Sequence, residues 1–186
     1  MTDAEKITEY LTRADNSTGM NALIEHMYNN GFFTAPCSGQ FHLAEGGGLA
    51  KHSLNVLDTM FRMQKELKAD VSYRNIVLTG LLHDLGKMGD HCKPNYVPNI
   101  LKSGKLSESK PFETNKDLLY IDHAIRSVVI AERYIILTEE EEHAILYHNG
   151  KYTHIGYDMK ETPLMLLLHF ADMWASRVIE IEEKEE

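Results

Sequence analysis

Apolar residues recur at three- and four-residue steps along most of the 186-residue chain, a pattern that predicts amphipathic helices rather than strands. Thr2 with Glu5 forms a capping-box pattern and opens a helix to about Ala14. A second helix is predicted from about Thr18 to Asn30, with Gly31 suited to the position after its end. Residues 31–48, GFFTAPCSGQFHLAEGGG, read as loop because of Pro36 and three consecutive glycines. Leu49, His52, Val56, Met60 and Met63 then mark one face of a helix over 49–68. Ser72 caps a helix predicted to run to about Leu85, where Gly86 ends it. Residues 88–116 read as a long loop with a small β-hairpin and a turn at KSGK (102–105). Helices are predicted again over 117–136 and 138–148, the latter opened by Thr138 with Glu141. Thr162-Pro163 starts a last long helix, which EIEEKEE (180–186) is expected to carry into solvent before fraying. No stretch alternates as a strand, so the fold class is all-α. One domain is expected over 1–186: N-terminal helices and lead-in loop (1–44), a core (45–178) and an acidic tail (179–186).

Composition narrows the field. Apolar residues make up 43% and charged residues 25%, as in ordinary globular proteins. A formal charge of −9 argues against binding nucleic acid through a broad basic surface. Cys37 and Cys92 give no disulfide framework and lack the paired spacing of a structural zinc site. The opening MTDAEKITEY has no apolar signal core, and the most apolar run, PLMLLLHF (163–170), is short and carries a histidine. A soluble, cytoplasmic protein is the expectation. No glycine-rich phosphate loop or nucleophile elbow is present.

The ten histidines are informative through their positions. His52 lies on the apolar stripe of its helix, and His83 and Asp84 follow the apolar run Ile76–Leu82. His123 is read in register with Tyr120, Ser127 and Ile130. His148 ends AILYHNG, and Asp172 lies in the most apolar helix between Leu168 and Trp174. Burying such groups is costly unless they are paired or bound to metal. Together, imidazole and carboxylate suit Fe, Mn, Zn, Co or Ni. Consecutive helical residues point roughly 100° apart, so His83 and Asp84 straddle a site rather than share a face.

In order, His52, His83-Asp84 and Asp172 resemble the H…HD…D pattern of the HD-domain superfamily of metal-dependent phosphohydrolases, and HDLGK (83–87) resembles its HD-x-GK variant. GGGLAKHSLNV leads into it, and the resemblance spans roughly residues 45–178. It implies a helical domain that hydrolyses phosphate esters, usually of nucleotides, with one or two divalent ions (Fe, Mn, Zn, Co, Ni or Mg). Binuclear members add two histidines between the HD pair and the last aspartate. His123 and His148 match that order, which favours two ions. Asp122 stands beside His123 as an alternative ligand or partner, and His148 also reads as a helix-end histidine.

The resemblance assigns catalysis to Asp84 and Lys87, with Asp84 bridging or orienting the attacking water. It also places Lys87 near the metals and a substrate phosphate; read from their positions, Arg126 and Arg177 are further phosphate contacts, and Tyr147 and Asn149 contacts to a base or ribose, with Tyr152 a weaker candidate. Helix capping for Lys87 and plain salt bridges for the two arginines are the alternatives. Lys93, Lys102, Lys105 and Lys110 form a basic cluster in the long loop, read either as a lid or as solvated surface. His26, His42, His91, His143, His154 and His169 read as structural or surface. PCSGQFHLAEGGGLAKH (36–52) is also similar to the lead-in of HD domains in bacterial 3′-5′ exoribonucleases, which usually carry a separate nucleic-acid-binding domain. With no room here for one, a small nucleotide is the expected partner, without stable nucleic-acid or membrane binding. A homodimer follows from family habit. A nucleotide phosphodiesterase, or one acting on RNA 3′ ends, is the enzymatic alternative; a non-catalytic nucleotide sensor is the other.

Overall fold

The computed structural model describes residues 1–150 and 160–182; Tyr152 and His154 lie outside them. Among the described residues, seven helices of eight residues or more carry the fold: α1 (Asp3–Ala14), α2 (Thr18–Asn29), α3 (Gly48–Leu67), α4 (Tyr73–Leu82), α5 (His123–Glu132), α6 (Glu139–Leu146) and α7 (Pro163–Trp174). A 3-10 turn, Leu85–Met88, follows α4, and a π-helical turn, Ala175–Ile179, extends α7 into Glu180–Glu182. Two small antiparallel sheets occupy the long loop, β1 (Gly89–Asp90) with β2 (Lys93–Pro94) and β3 (Tyr96–Pro98) with β4 (Phe112–Thr114). The fold class is all-α, with a hairpin insertion.

Local chemistry explains the helix starts. Thr2 and Thr138 form complete capping boxes, and Ser72 and Thr162 accept backbone N–H bonds at the starts of α4 and α7. Gly31, just past α2, takes φ +82°, a left-handed conformation that glycine adopts without steric cost.

Packing centres on α3, which lies against α4 and α7. Every residue of α4 from Ile76 to Leu82 is buried, and α3 buries Leu49, Val56 and Met60 on the same face as His52. Each such leucine or isoleucine stabilises the fold by roughly 1.5–3 kcal/mol through burial. The result is a rigid apolar floor that ends at the HD pair. No helix among the described residues is long and apolar enough to cross a membrane.

Three expectations need correction. α4 stops at Leu82, and Gly86 is not its terminator: it lies inside the 3-10 turn, where an added Cβ would sit 2.4 Å from the His123 carbonyl oxygen. Gly86 is there for close approach to α5. Residues 117–122 are not helical, because Asp122 caps α5 by accepting the Ala124 N–H at 2.9 Å; Tyr120 lies outside the helix and is exposed. Finally, Glu180 does not point into solvent but is fully buried.

Candidate metal centre

His52 projects from the second turn of α3, and His83 caps the C-terminus of α4. Asp84 begins the 3-10 turn, and Asp172 comes from α7. His123 is the first residue of α5, and His148 lies just past α6. The structure brings all six side chains into one cluster at the base of a cavity of about 700 Å³.

Asp84 stands at the middle. Its Oδ2 is 3.5 Å from both His52 Nε2 and His83 Nε2, while its Oδ1 is 3.4 Å from His123 Nε2 and 3.8 Å from His148 Nε2. The two Nε2 atoms of His52 and His83 are 3.3 Å apart, as are those of His123 and His148. Asp172 Oδ1 closes the first group, 3.2 Å from His52 Nε2. One carboxylate therefore reaches a histidine pair with each oxygen.

Hydrogen bonds at the far side of the rings fix their tautomers. His83 Nδ1–H donates to the Gly80 carbonyl (3.0 Å) and His148 Nδ1–H to the Ile145 carbonyl (2.7 Å), because a carbonyl can only accept. His52 Nδ1 is 2.8 Å from Glu180 Oε1. In the neutral rings each Nε2 lone pair thus points into the cluster. Lone pairs opposed at 3.3 Å repel unless a cation lies between them or one ring takes a proton. Among the described residues, buried Asp84 Oδ1 also accepts no hydrogen bond. Three carboxylates, Asp84, Asp172 and Glu180, gather here, and the Lys87 ammonium meets one of them, its Nζ 2.6 Å from Asp84 Oδ2.

The electrostatics agree with this arrangement. Burial alone would raise the Asp84 carboxyl, but Lys87 and His83 outweigh it and hold Asp84 well below its ordinary range. Burial likewise opposes ionisation of Asp172, and its bond to His52 overrides it. Burial pushes His148 down to about 4, helped by His83, so it stays a neutral donor at physiological pH. Lys87 is pushed down by burial, but Asp84 raises it further and keeps it charged. His52 is the exception: burial disfavours its charge, yet Cys37, Asp172 and Glu180 lift it well above normal. A proton on His52 is the smallest cation this field can hold. The nitrogen and oxygen donors, the orphaned carboxylate oxygen and the negative surroundings all fit a divalent ion. His52, His83 and Asp172 form one trio able to take it, and His83, Asp84 and His148 another.

Of the expected substrate contacts, Lys87, Asn149 and Arg177 line the main cavity. Tyr147 does not; its ring packs on His143 with centroids 4.9 Å apart. Arg126 is buried beside Gly86, donates to the Leu119 carbonyl at 2.7 Å and opens on a smaller cavity of about 150 Å³. Lys93, Lys102, Lys105 and Lys110 do not border the main cavity either; Lys93 instead donates to the Asp117 carbonyl.

Sequence reasoning missed that Glu180, His42 and His169 border the cavity. His42 and His169 are not mere surface histidines, for both line the cavity, and His169 Nδ1–H donates to the His148 carbonyl at 2.7 Å. Glu180 faces inward because of the π turn before it. Two α-helical turns span about 7.2 residues, and a π turn adds one, so a residue eight after Asp172 returns to the same face.

A family model of the HD domain matches residues 49–176. The chain belongs to that family, whose members are in general metal-dependent phosphohydrolases that bind divalent ions. No curated protein and no solved structure gives a significant match.

Proposed function

We propose that this protein is a metal-dependent phosphohydrolase that cleaves a phosphate ester bond of a nucleotide. The observation that carries the reading is Asp84, set between two histidine pairs with one oxygen toward each, at the base of a ligand-sized cavity. His52, His83, Asp84 and Asp172 would hold one ion, and Asp84, His123 and His148 would hold a second. Bound ions supply Lewis acidity and an activated water for in-line displacement at phosphorus.

The chain's own groups do the rest. Lys87 fixes Asp84 through its 2.6 Å bond and borders the cavity, where it offers a charge to a phosphate oxygen. Arg177 gives a second cation in the cavity lining, and Asn149 adds an amide. Phe41, Met173 and Ile181 add apolar surface to the same lining, suited to a base and sugar. A lining that combines cationic and apolar groups favours a nucleotide over inorganic or simple sugar phosphates.

The test is hydrolysis of a panel of nucleoside mono-, di- and triphosphates and cyclic and linear dinucleotides by protein stripped of metal and reloaded with Mn²⁺, Co²⁺, Fe²⁺ or Zn²⁺. Turnover that disappears in His83→Ala and Asp84→Ala supports the reading, and the product separates monoester from diester cleavage. Turnover of no nucleotide, or activity untouched by both substitutions, overturns it.

A further inference from the structure

We infer a second metal site, of thiolate-binding zinc type, formed by Cys37, His42 and Glu180 beside the HD centre. It is independent of which phosphate ester the protein cleaves.

The lead-in loop builds it. Cys37 N–H donates to the Leu43 carbonyl at 3.1 Å, while Ser38 Oγ donates to the His42 carbonyl and accepts the Phe41 N–H, both at 2.9 Å. These bonds curl residues 37–43 into a tight loop, with Leu43 at φ +46°. Gly48 lets the loop seat on the first turn of α3, since an added Cβ would fall 2.1 Å from the Leu43 carbonyl oxygen. His42 is thereby pressed against His52, ring centroids 5.2 Å apart.

Cys37 and Glu180 both approach His42. Cys37 Sγ is 3.4 Å from His42 Nε2, and Glu180 Oε2 is 3.8 Å from the same nitrogen. Tetrahedral zinc with ordinary bond lengths sets sulfur and nitrogen roughly 3.6 Å apart and nitrogen and oxygen about 3.4 Å apart. Both spacings about His42 Nε2 lie within roughly 0.4 Å of these values. Glu180 Oε2 points to a ligand in its own right, because it is buried and, among the described residues, accepts no hydrogen bond. Leaving a buried carboxylate oxygen without a partner is costly, and a cation would satisfy it. Its other oxygen, Oε1, stays with His52 Nδ1 and Asn55 Nδ2.

Sulfur sets this site apart from the nitrogen and oxygen donors of the HD centre and selects a softer ion. Cys37 is a buried thiol whose ionisation burial disfavours, so metal entry displaces its proton to solvent. A bound ion would tie loop 37–43 to the end of the C-terminal helix. Phe41, His42, Glu180 and Ile181 all border the main cavity, so it would fix that wall while Glu180 carries the link to His52.

Cobalt reports the sulfur directly. Full-length protein carrying Cys92→Ser, which leaves Cys37 as the single cysteine, is stripped of metal and titrated with Co²⁺. A near-ultraviolet sulfur-to-cobalt charge-transfer band is expected, together with one equivalent of ion beyond those held by the HD centre. Adding His83→Ala, which damages the HD centre, should leave the band in place, and His42→Ala should weaken the ion responsible for it by 10-fold or more. Cobalt bound with no thiolate band overturns the site, as does a band that survives Cys37→Ser or vanishes in His83→Ala. Because the band is read without turnover, its absence leaves the phosphohydrolase reading untouched.

Discussion

Glu180 shows how much one side chain contributes without touching an ion of the HD centre. Its carboxylate orients the His52 ring from behind, and partners of this kind typically govern metal affinity by 10–100-fold. Glu180→Gln keeps the shape but removes the charge, so Mn²⁺ should be retained some 10–100-fold more weakly in competition with a chromophoric chelator. Unchanged retention would mean that the His52–Glu180 bond serves only packing. The ligand candidates themselves were legible because His52, His83 and Asp172 interrupt apolar helical faces, where a polar residue demands an explanation. Glu180 was hidden for the opposite reason. It opens a run of acidic residues whose composition is that of a solvated helix end, and its inward direction depends on the π turn before it.

Between elements, the contact of the 3-10 turn with α5 sets the distance between the two halves of the centre. Gly86 N–H donates to Ser127 Oγ at 2.8 Å, and Ser127 Oγ–H donates to the His123 carbonyl at 2.8 Å. Gly86→Ala would drive a methyl group into α5 backbone, at a cost of about 1–3 kcal/mol. A lower Tm with reduced metal content is expected, and a wild-type Tm would show that the contact yields freely. Farther along, Arg133 at the end of α5 pairs with Asp90 of β1 through two bonds of 2.8 and 2.7 Å. The Arg133 hydrogen bonds hold the Asp90 carboxyl down at about 2. A carboxyl depressed in the folded state stabilises above its unfolded pKa and stops doing so as protons reach the folded one. The pair should add on the order of 1–2 kcal/mol above pH 4, with some loss to solvent because Arg133 is partly exposed, and lose it between pH 4 and 2. Melting wild type and Asp90→Asn across that range checks this: the gap in Tm should close as pH falls, and a constant gap would exclude it. Caps such as Thr138 were readable because capping is local chemistry. The start of α5 was not, since Leu118–Ile121 continue the apolar pattern and only the Asp122 side chain breaks it.

For the molecule as a whole, the centre is a cluster of negative charge and facing lone pairs closed within an apolar bundle. A divalent ion that binds only the folded chain stabilises it by mass action, by ~2.7 kcal/mol at 100 times Kd. For a chain of this size that corresponds to a Tm rise of about 5–10 °C, increasing with metal concentration. Scanning the stripped protein against a Mn²⁺ series measures it, and a Tm indifferent to metal would rule out ions at the centre. At this scale the helical class followed from the hydrophobic period. The side-chain cluster followed from the order of a few residues, whereas the cavity walls did not, because they depend on how distant loops meet.

The bond from His52 to Glu180 joins residues 128 positions apart. At about 5–20 residues per second, a ribosome takes on the order of ten seconds to pass from one to the other. His52, His83 and His148 are all made before the glutamate that orients the first of them. A nascent chain therefore carries an unfinished centre for that interval, and the helical run bearing Asp172 and Glu180 is the one that completes it.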